Sequence, residues 1–452
     1  MKKWLCFFLS VVLCLFTATA SCEELVMYFG TFSSTNAGLK EFLADNPDIS
    51  LSQSQVYYFP ASAFITALLT HEFQCDLFHQ GTDEADWPTL MEKGYCLDLS
   101  ESTVLTAAVQ RMHPSIAAEA IADGHLYAIP ASIYFKYCRI IEKTWLNAGY
   151  TTDDVPQSFP EFLDFLSAWC DRIEADPEAN IVAISGWGED SYSSATYIAN
   201  LAEVLINEVI MQYQYADEKL SFNTPEIIAL LNRCTVIGER LFQLESKHYN
   251  AALFEEIGGS LWPEKASSVV FFRLNDEQPK LINATLNMWA INASSSNAEK
   301  ALELLEKAAT VIDDPSAYDD LFLYQDAQPR LDPDYEKNLA HWTAEKENAA
   351  SLLQNENLDA DAREDLEKEV LKYQDCIDFT EAHKWLVTPE QLEDYKAAVD
   401  YLYFPPINIF HQSSEGYEAL DDLYKQFGYG KVTAEQFVQR LDQIATMMYL
   451  EE

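Results

Sequence analysis

The stretch Glu24-Leu-Val-Met-Tyr-Phe-Gly30 begins an alternation of strands and helices that decides the fold. An apolar run that ends at a glycine predicts a short buried strand followed by a turn. Residues 36–46 come next, with Leu39, Phe42 and Leu43 at helical spacing and a proline directly behind them. This pattern predicts a helix that stops before the proline.

The same order continues along the chain. Residues 55–59 predict a second strand, residues 61–72 a helix, and residues 75–78 a third strand. Such alternation indicates an α/β lobe built around a mostly parallel sheet. Ligands of these sheets bind beyond the carboxyl ends of the strands, so the loops after Gly30 and Phe78 are expected at a binding site.

The middle of the chain is richer in helices. Apolar residues recur at helical spacing in residues 159–175, 195–213 and 225–245, and again in residues 298–309. Two shorter apolar runs, residues 268–272 and 286–291, predict strands that return to the sheets. Residues 335–372 are highly charged and predict an antiparallel helix pair with a solvated face.

The amino terminus has the pattern of an export signal. Lys2 and Lys3 precede an apolar stretch over residues 4–16, which is shorter than the ~20 residues of a membrane-spanning helix. The run Thr19-Ala-Ser-Cys22 resembles a bacterial lipobox, although threonine holds the place of the usual leucine. We expect Cys22 to carry a lipid anchor; the alternative is simple cleavage after Ala20.

Charge and cysteine content narrow the class of protein. The chain has 73 acidic and 29 basic residues, a net charge of −44, and such a surface repels nucleic acid. Cys6 and Cys14 lie in the signal, and six cysteines follow Cys22 without any C-x-x-C spacing. Their mostly apolar neighbours favour buried free thiols over disulfides.

No motif of a metal or catalytic site is present in the sequence. The eight histidines are dispersed, and neither a G-x-S-x-G elbow nor a phosphate-binding loop occurs. Asn357, Asp359 and Asp361 alternate as in an EF-hand loop, but the central glycine is missing and Lys368 holds the twelfth position. We therefore expect no metal, no cofactor and no enzymatic activity.

Seven segments stand in a characteristic order along the chain. They are Asp76-Leu-Phe-His-Gln-Gly81, residues 90–99, Gly124-His-Leu-Tyr-Ala-Ile-Pro130, Thr144-Trp-Leu-Asn-Ala-Gly149, residues 155–162, Asn287-Met-Trp-Ala-Ile-Asn292 and residues 430–437. In this order they resemble the extracellular solute-binding proteins of carbohydrate-type ABC importers, which are maltose-binding-protein-like. The charged segment at 335–372 is longer than this family usually shows.

The resemblance implies a two-lobed periplasmic-binding-protein-like fold of type II, in which each lobe is a mostly parallel sheet flanked by helices. Hinge crossovers are expected near Pro130, Leu286 and Gln328, and closure about them would bury the ligand. The implied division is a signal peptide at 1–21, lobe I at 22–130 and 286–328, and lobe II at 131–285 and 329–452, with the charged helical pair as an insertion.

The resemblance also implies a function. An exported, monomeric protein of this kind captures a carbohydrate, here expected to be an oligosaccharide, and delivers it to the membrane permease of an ABC importer. Two alternatives stay open at this point. One is a binder of a non-sugar solute such as a peptide, polyamine or organic cation. The other is an exported glycoside hydrolase, because two suitably placed carboxylates suffice for that reaction.

A sugar-binding cleft needs aromatic rings for the C–H faces of the sugar and polar groups for its hydroxyls. Polar and aromatic residues follow the third predicted strand, and one tryptophan stands between two glycines in a polar loop. The predicted ligand-binding residues are Gln80, Asp83, Trp87, Tyr134, Trp187, Trp262, Trp289 and Phe410.

Overall fold

One mixed β-sheet runs through the chain. The structure is a computed structural model, and the statements below concern the residues that it describes. These are residues 23–28, 32, 36–53, 61–70, 75–176, 181–185, 193–244, 251–259, 262, 266–309, 321–355 and 360–451.

The described strands are β1 (Glu23–Tyr28), β2 (Ile49–Gln53), β3 (Leu77–Gly81), β4 (Ile121–Ala122), β5 (His125–Leu126), β6 (Ile129–Ile140), β7 (Ile181–Ile184), β8 (Ala251–Gly259), β9 (Val269–Val270), β10 (Ile282–Ile291), β11 (Arg330–Leu331), β12 (Trp385–Val387) and β13 (Leu402–Tyr403). Nine of them form the sheet, in the order β2-β1-β3-β10-β6-β8-β7, with β13 paired to β10 and β9 to β6. Two further two-stranded pairs, β4–β5 and β11–β12, stand apart from it.

Fifteen α-helices lie among the described residues. They are α1 (Ala37–Asp45), α2 (Ala61–Thr70), α3 (Trp87–Glu92), α4 (Thr103–Gln110), α5 (Pro114–Ala118), α6 (Glu142–Asn147), α7 (Phe159–Ala175), α8 (Ser194–Tyr215), α9 (Pro225–Leu244), α10 (Ala298–Ala308), α11 (Tyr335–Leu352), α12 (Ala360–Ala382), α13 (Pro389–Ala398), α14 (Ser414–Gly428) and α15 (Ala434–Glu451).

The α/β class that the sequence predicted is confirmed, but the sheet is mixed instead of mostly parallel. β1 pairs in parallel with β2 and β3, and β7 with β8. The central pairs β3–β10, β10–β6 and β6–β8 are all antiparallel. The reason is that β6 and β10 are long strands that run in opposite directions through the middle of the sheet.

The second strand of the described residues is β2 at Ile49–Gln53. The strand that the sequence predicted at residues 55–59 lies outside the described part of the chain. β2 pairs in parallel with β1, with Leu51 opposite Leu25. Ile49 is buried in the core, so the weaker pattern of this segment is compensated by burial.

Two hydrophobic cores lie along the sheet. The first core collects buried residues from β1, β3, β10, α10 and α13, and the second collects them from α7, α8, α9, α14 and α15. β6 contributes to both, because Phe135 and Tyr137 belong to the first core and Cys138 and Ile140 to the second. The chain therefore passes from one core to the other within this strand.

The chain crosses between the cores at other places as well. Val269 and Phe271 belong to the first core and Val270 and Leu274 to the second, and from Ile282 to Phe404 the described core residues belong to the first core. The final passage lies between Phe404 and Ile409, whereas the sequence predicted a crossover near Gln328. The segment that contains α13 thus packs in the first core.

The helices of the second core follow the sequence pattern closely. The bounds of α7 are those predicted, and α8 and α9 end within two residues of the prediction. Ser158 begins α7, where its hydroxyl accepts a hydrogen bond from the Glu161 backbone N–H at 3.3 Å. Strong apolar periodicity and a capping residue together account for this agreement.

The charged segment forms the predicted helix pair, α11 and α12. Lys346 contacts Gln374, and Arg363 donates to the Leu353 carbonyl at 3.4 Å, so the two helices run antiparallel. Asn357 and Asp359 lie outside the described residues. None of the described helices combines the length and apolar character needed to cross a membrane.

The cysteines that the structure describes are free thiols. Five are buried, and Cys376 on α12 is partly exposed. Burial raises the pKa of both Cys75 and Cys96 to about 12. These thiols are therefore protonated and behave as small apolar residues in the cores.

α1 and α10 pack closely in the first core. A Cβ atom at Gly38 would lie 1.7 Å from the Lys307 carbonyl oxygen. Asn36 joins the same two helices, since its side chain accepts from the Leu39 N–H and donates to the Ala308 carbonyl, each at 2.9 Å. Only glycine permits this approach of the two backbones.

We predict that Gly38→Ala lowers the free energy of unfolding by on the order of 1–3 kcal/mol, because the two helices must move apart. Urea denaturation measures the change. Gly259→Ala serves as the control, since no atom lies within 4 Å of a Cβ there. Equal stability of the Gly38→Ala variant and the parent would contradict the close packing.

Candidate functional site

A groove opens along β6 where this strand leaves the first core. Successive side chains of a strand point to opposite faces. Ile133 and Phe135 are fully buried on one face, whereas Tyr134 and Lys136 on the other are 36% and 46% exposed. The exposed face of β6 therefore forms one wall of a groove beside the first core.

A cavity of about 400 Å³ lies on this face of β6, and we call it the β6 cavity. Tyr134 and Lys136 line it together with residues of β8, β9, β10 and α8. In the sheet register Lys136 stands between Gly258 on β8 and Asn283 on β10, which also line the cavity. Residues of both cores thus meet around one space.

A second cavity of about 560 Å³ lies between α8 and α14, and we call it the α8 cavity. Asn207 lines both cavities, so the two adjoin. Tyr417 and Tyr429 line the α8 cavity and are 56% and 63% exposed. Together the β6 cavity and the α8 cavity form the candidate site.

Helix α8 presents a polar stripe to the site. Asn200, Glu203 and Asn207 occur at spacings of three and four residues, which places them on one face of the helix. The neighbouring residues Leu201 and Leu205 are fully buried in the second core. The helix therefore positions amide and carboxylate groups on a rigid, packed element.

Two ion pairs fix the lysines of the site. The Lys136 Nζ lies 2.7 Å from the Asp83 carboxylate, and the Lys425 Nζ lies 2.5 Å from that of Asp421. His411 adjoins the first pair. Desolvation and the positive charge of Lys136 lower the pKa of His411, while Asp83 opposes the change. His411 is therefore neutral near pH 7.

Two carboxylates of α8 hold protons more strongly than usual. Desolvation raises the pKa of Glu203, and the nearby charges of Glu256 and Asp421 raise it further. Burial raises the pKa of Glu208 to about 7, although the Gln212 amide donates to its carboxylate at 2.6 Å. The α8 side of the site therefore carries closely spaced acidic groups that repel one another.

Two of the predicted site residues belong to this groove. Tyr134 lines the β6 cavity, and Asp83 holds Lys136 at its edge. Trp187 and Cys22 lie outside the described residues. The structure thus brings together only a part of the predicted set.

The remaining predicted residues are buried. Trp87 is 2% exposed, stacks on Phe78 and donates to the Gly81 carbonyl at 3.3 Å. Trp262 is 1% exposed and its indole N–H donates to the Asp394 carboxylate at 3.0 Å. Both rings pack in the first core.

Three further predicted residues also have little exposed surface. Gln80 is 5% exposed within β3, and Trp289 is 4% exposed with Phe32 stacked on its ring at 4.6 Å. Phe410 is fully buried in the second core.

Sequence reasoning did not single out Tyr417, Tyr429, His411 or the α8 stripe. No sequence pattern marked the Tyr417 and Tyr429 rings as part of a binding site, since exposed tyrosines in a charged segment resemble ordinary surface residues. The α8 stripe could have been found, because polar residues recur at three and four positions within an otherwise apolar helix. Such a stripe on a packed helix indicates a polar cavity.

The site has the chemistry of a polar, ring-containing binding groove. Tyrosine rings offer apolar faces with hydroxyl edges, while amides and carboxylates offer donors and acceptors for hydrogen bonds. Within the described residues, no group of three or more histidine, cysteine, aspartate or glutamate side chains is placed to hold a metal ion.

No protein-family model and no curated protein matches the chain. The chain is similar to several solved structures. One is an ABC substrate-binding protein from Listeria monocytogenes in complex with cycloalternan, which is 13% identical in sequence, with a TM-score of 0.49; the match covers 94% of this chain and 99% of that chain. Another is a cyclic alpha-maltosyl-1,6-maltose binding protein from Arthrobacter globiformis, which is 14% identical, with a TM-score of 0.48; the match covers 94% of this chain and 98% of that chain.

A third is a sugar transporter from Bacillus licheniformis in complex with stachyose: 12% identity, TM-score 0.49, covering 94% of this chain and 100% of that chain.

Gly258 determines where the Tyr134 ring lies. A Cβ atom at Gly258 would stand 2.5 Å from the Tyr134 hydroxyl oxygen, the far end of a flexible side chain. We predict that Gly258→Ala displaces this ring from the β6 cavity, weakens ligand binding and leaves the melting temperature within a few degrees of the parent. Calorimetric titration and thermal denaturation measure the two effects.

The adjacent Gly259→Ala variant is the matched control, because a Cβ atom there meets no atom within 4 Å. If both variants bind ligand equally well, the position of the Tyr134 ring has no part in recognition.

Proposed function

We propose that this protein is an exported solute-binding protein that captures a carbohydrate, preferably an oligosaccharide, and delivers it to an ABC importer. The observation that supports this most is the candidate site, where partly exposed tyrosine rings stand beside amides and carboxylates. Sugars need both kinds of surface, since their C–H faces pack on rings and their hydroxyls form hydrogen bonds.

The dimensions of the groove suit an oligomer. The β6 cavity and the α8 cavity adjoin at Asn207 and together extend from the sheet to the exposed face of α14. Tyr134 stands in the first cavity and Tyr417 and Tyr429 in the second. Rings separated in this way suit successive sugar units more than one small solute.

The arrangement of the cores supports a hinged mechanism. In this proposal each core forms one lobe, and the chain passes between the lobes within β6, between Phe254 and Ile282, and between Phe404 and Ile409. Few, short connections of this kind permit two rigid bodies to close about a ligand. The importer would then distinguish the closed, loaded protein from the open, empty one.

Export and tethering complete the proposal. The signal-like start of the chain would direct the protein outside the cytoplasm, and lipidation of Cys22 would hold it at the membrane surface near its permease. The net charge of −44 would keep such a tethered protein from adhering to anionic surfaces.

We predict that at least one neutral oligosaccharide raises the melting temperature, because a ligand bound only by the folded protein stabilises it by mass action. A panel of mono- and oligosaccharides, peptides and polyamines tests this by thermal shift. Stabilisation by a peptide or polyamine alone would replace the carbohydrate proposal. Turnover of fluorogenic glycosides would indicate a glycoside hydrolase instead.

Tyr417→Ala and Tyr429→Ala should each weaken binding of that oligosaccharide by roughly five- to tenfold, since a ring contact contributes about 1–1.5 kcal/mol. Calorimetric titration measures the dissociation constant. Tyr215→Ala is the matched control, because this tyrosine is similarly exposed, at 53%, but lines neither cavity. Equal losses in all three variants would argue against a ring-lined site.

Closure should be visible in solution. We expect the radius of gyration from small-angle X-ray scattering to fall when the stabilising sugar is added, as the lobes move together. An unchanged scattering curve under saturating ligand would show that the sugar binds a rigid groove.

A further inference from the structure

The positive charges of the candidate site are already neutralised. Of the described residues that line the two cavities, the lysines are Lys136 and Lys425. Lys136 is paired with Asp83 and Lys425 with Asp421, at 2.7 and 2.5 Å. His411 is neutral near pH 7 because its pKa is lowered. An anionic ligand would therefore find no available cation here.

Glu203 is in the opposite situation. It lines the α8 cavity, and within the described part of the chain no hydrogen-bond donor and no cation contacts its carboxylate. Its electrostatic neighbours are the acidic groups of Glu256 and Asp421, together with the Tyr424 hydroxyl. Repulsion from these groups and loss of water make its negative charge unfavourable in the empty groove.

Tyr424 is a second, independent sign of a missing partner. It lines the same cavity, its side chain is 7% exposed, and its hydroxyl has no hydrogen-bond partner among the described residues. An unsatisfied buried hydroxyl is costly and native structures seldom leave one. A polar group that enters the cavity beside Glu203 and Tyr424 would supply both with a partner.

We propose that the ligand carries a protonated amine beside Glu203, so that the carbohydrate is an amino sugar or an oligomer that contains one. This inference rests on the proposed function and specifies its substrate class. An ammonium group offers three donors and one positive charge, which relieves the repulsion among the carboxylates. The hydroxyls and C–H faces of the same sugar use the Asn200 and Asn207 amides and the Tyr417 ring.

Lys425 does not oppose this assignment. Its ammonium group is held by Asp421 one helical turn away on α14, so its charge is compensated locally. Glu208 adds to the acidic character, since it lines the adjoining β6 cavity and its hydrogen-bonding partner is the neutral Gln212 amide. With the Asp421–Lys425 pair counted as neutral, Glu203 and Glu208 leave the groups around the amine acidic on balance.

The test compares oligosaccharides that share one backbone and differ at one position. Oligomers of β-1,4-linked glucosamine, their N-acetylated forms and β-1,4-linked glucose oligomers differ only in the substituent at carbon 2. We expect the glucosamine oligomers to bind the full-length mature protein about tenfold more tightly than the other two near neutral pH, as measured by calorimetric titration.

Glu203→Gln should abolish this preference, since it removes the charge and keeps the size of the side chain. Glu239→Gln is the matched control, because Glu239 is exposed on α9 and lines neither cavity. Added salt should reduce the preference of the parent and leave the affinity for glucose oligomers unchanged.

The outcomes separate this inference from the proposed function. If glucose oligomers bind the parent as tightly as glucosamine oligomers, or if Glu203→Gln retains the preference, the amino-sugar assignment is overturned while carbohydrate binding stands. Binding of spermidine with no binding of any sugar overturns the carbohydrate function itself. A protein that binds none of these probes contradicts the amino-sugar assignment, and the wider neutral panel then decides the function.

Discussion

Strand β6 carries the constraint on which the rest of the structure depends. Over Ile133 and Phe135 one face of the strand is packed in the first core. At Cys138 and Ile140 the opposite face is packed in the second core. A strand whose buried face changes in this way must leave each face open over part of its length, because the two cores lie on different sides of it. The groove is the open part at Tyr134 and Lys136.

The same constraint explains which groups can line the groove. The strands beside β6 are β8 and β10, and their residues at this level must also face away from a core, as Asn283 does. Helix α8 approaches from the second core with most of its apolar face buried, so its polar stripe reaches the open space, beside Val204 and Met211. A site of polar side chains on rigid, packed elements follows, which is the arrangement that specific binding requires.

The sequence predicted those features that depend on local periodicity. The bounds of α7, α8 and α9 came within a few residues because apolar spacing and capping groups act over a single helix. The α/β class followed from the alternation that begins at Glu24. β2 at Ile49–Gln53 was not predicted, because its apolar pattern is weak and the strand is stabilised by pairing with β1.

The site itself depends on contacts between distant segments, and these carry no local signal. Trp262 has the small-residue neighbours of a loop, yet Phe135 and Tyr395 enclose its ring and Asp394 accepts its N–H. Tyr134, which was chosen because it follows a predicted crossover, lines the β6 cavity. The tyrosines of α14 were missed, because nothing in residues 414–428 indicates that α8 lies opposite.

Net charge and local charge lead to different conclusions about the ligand. The value of −44 describes the whole surface, and most of these charges lie beyond the ~8 Å over which charges act in physiological salt. What a ligand meets is decided by pairing within the groove. There the lysines are each held by an aspartate, while Glu203 faces further acidic groups. A surface of the same net charge with Glu203 paired to a lysine would have no such preference for a cation, so the arrangement of a few side chains determines the chemistry of recognition.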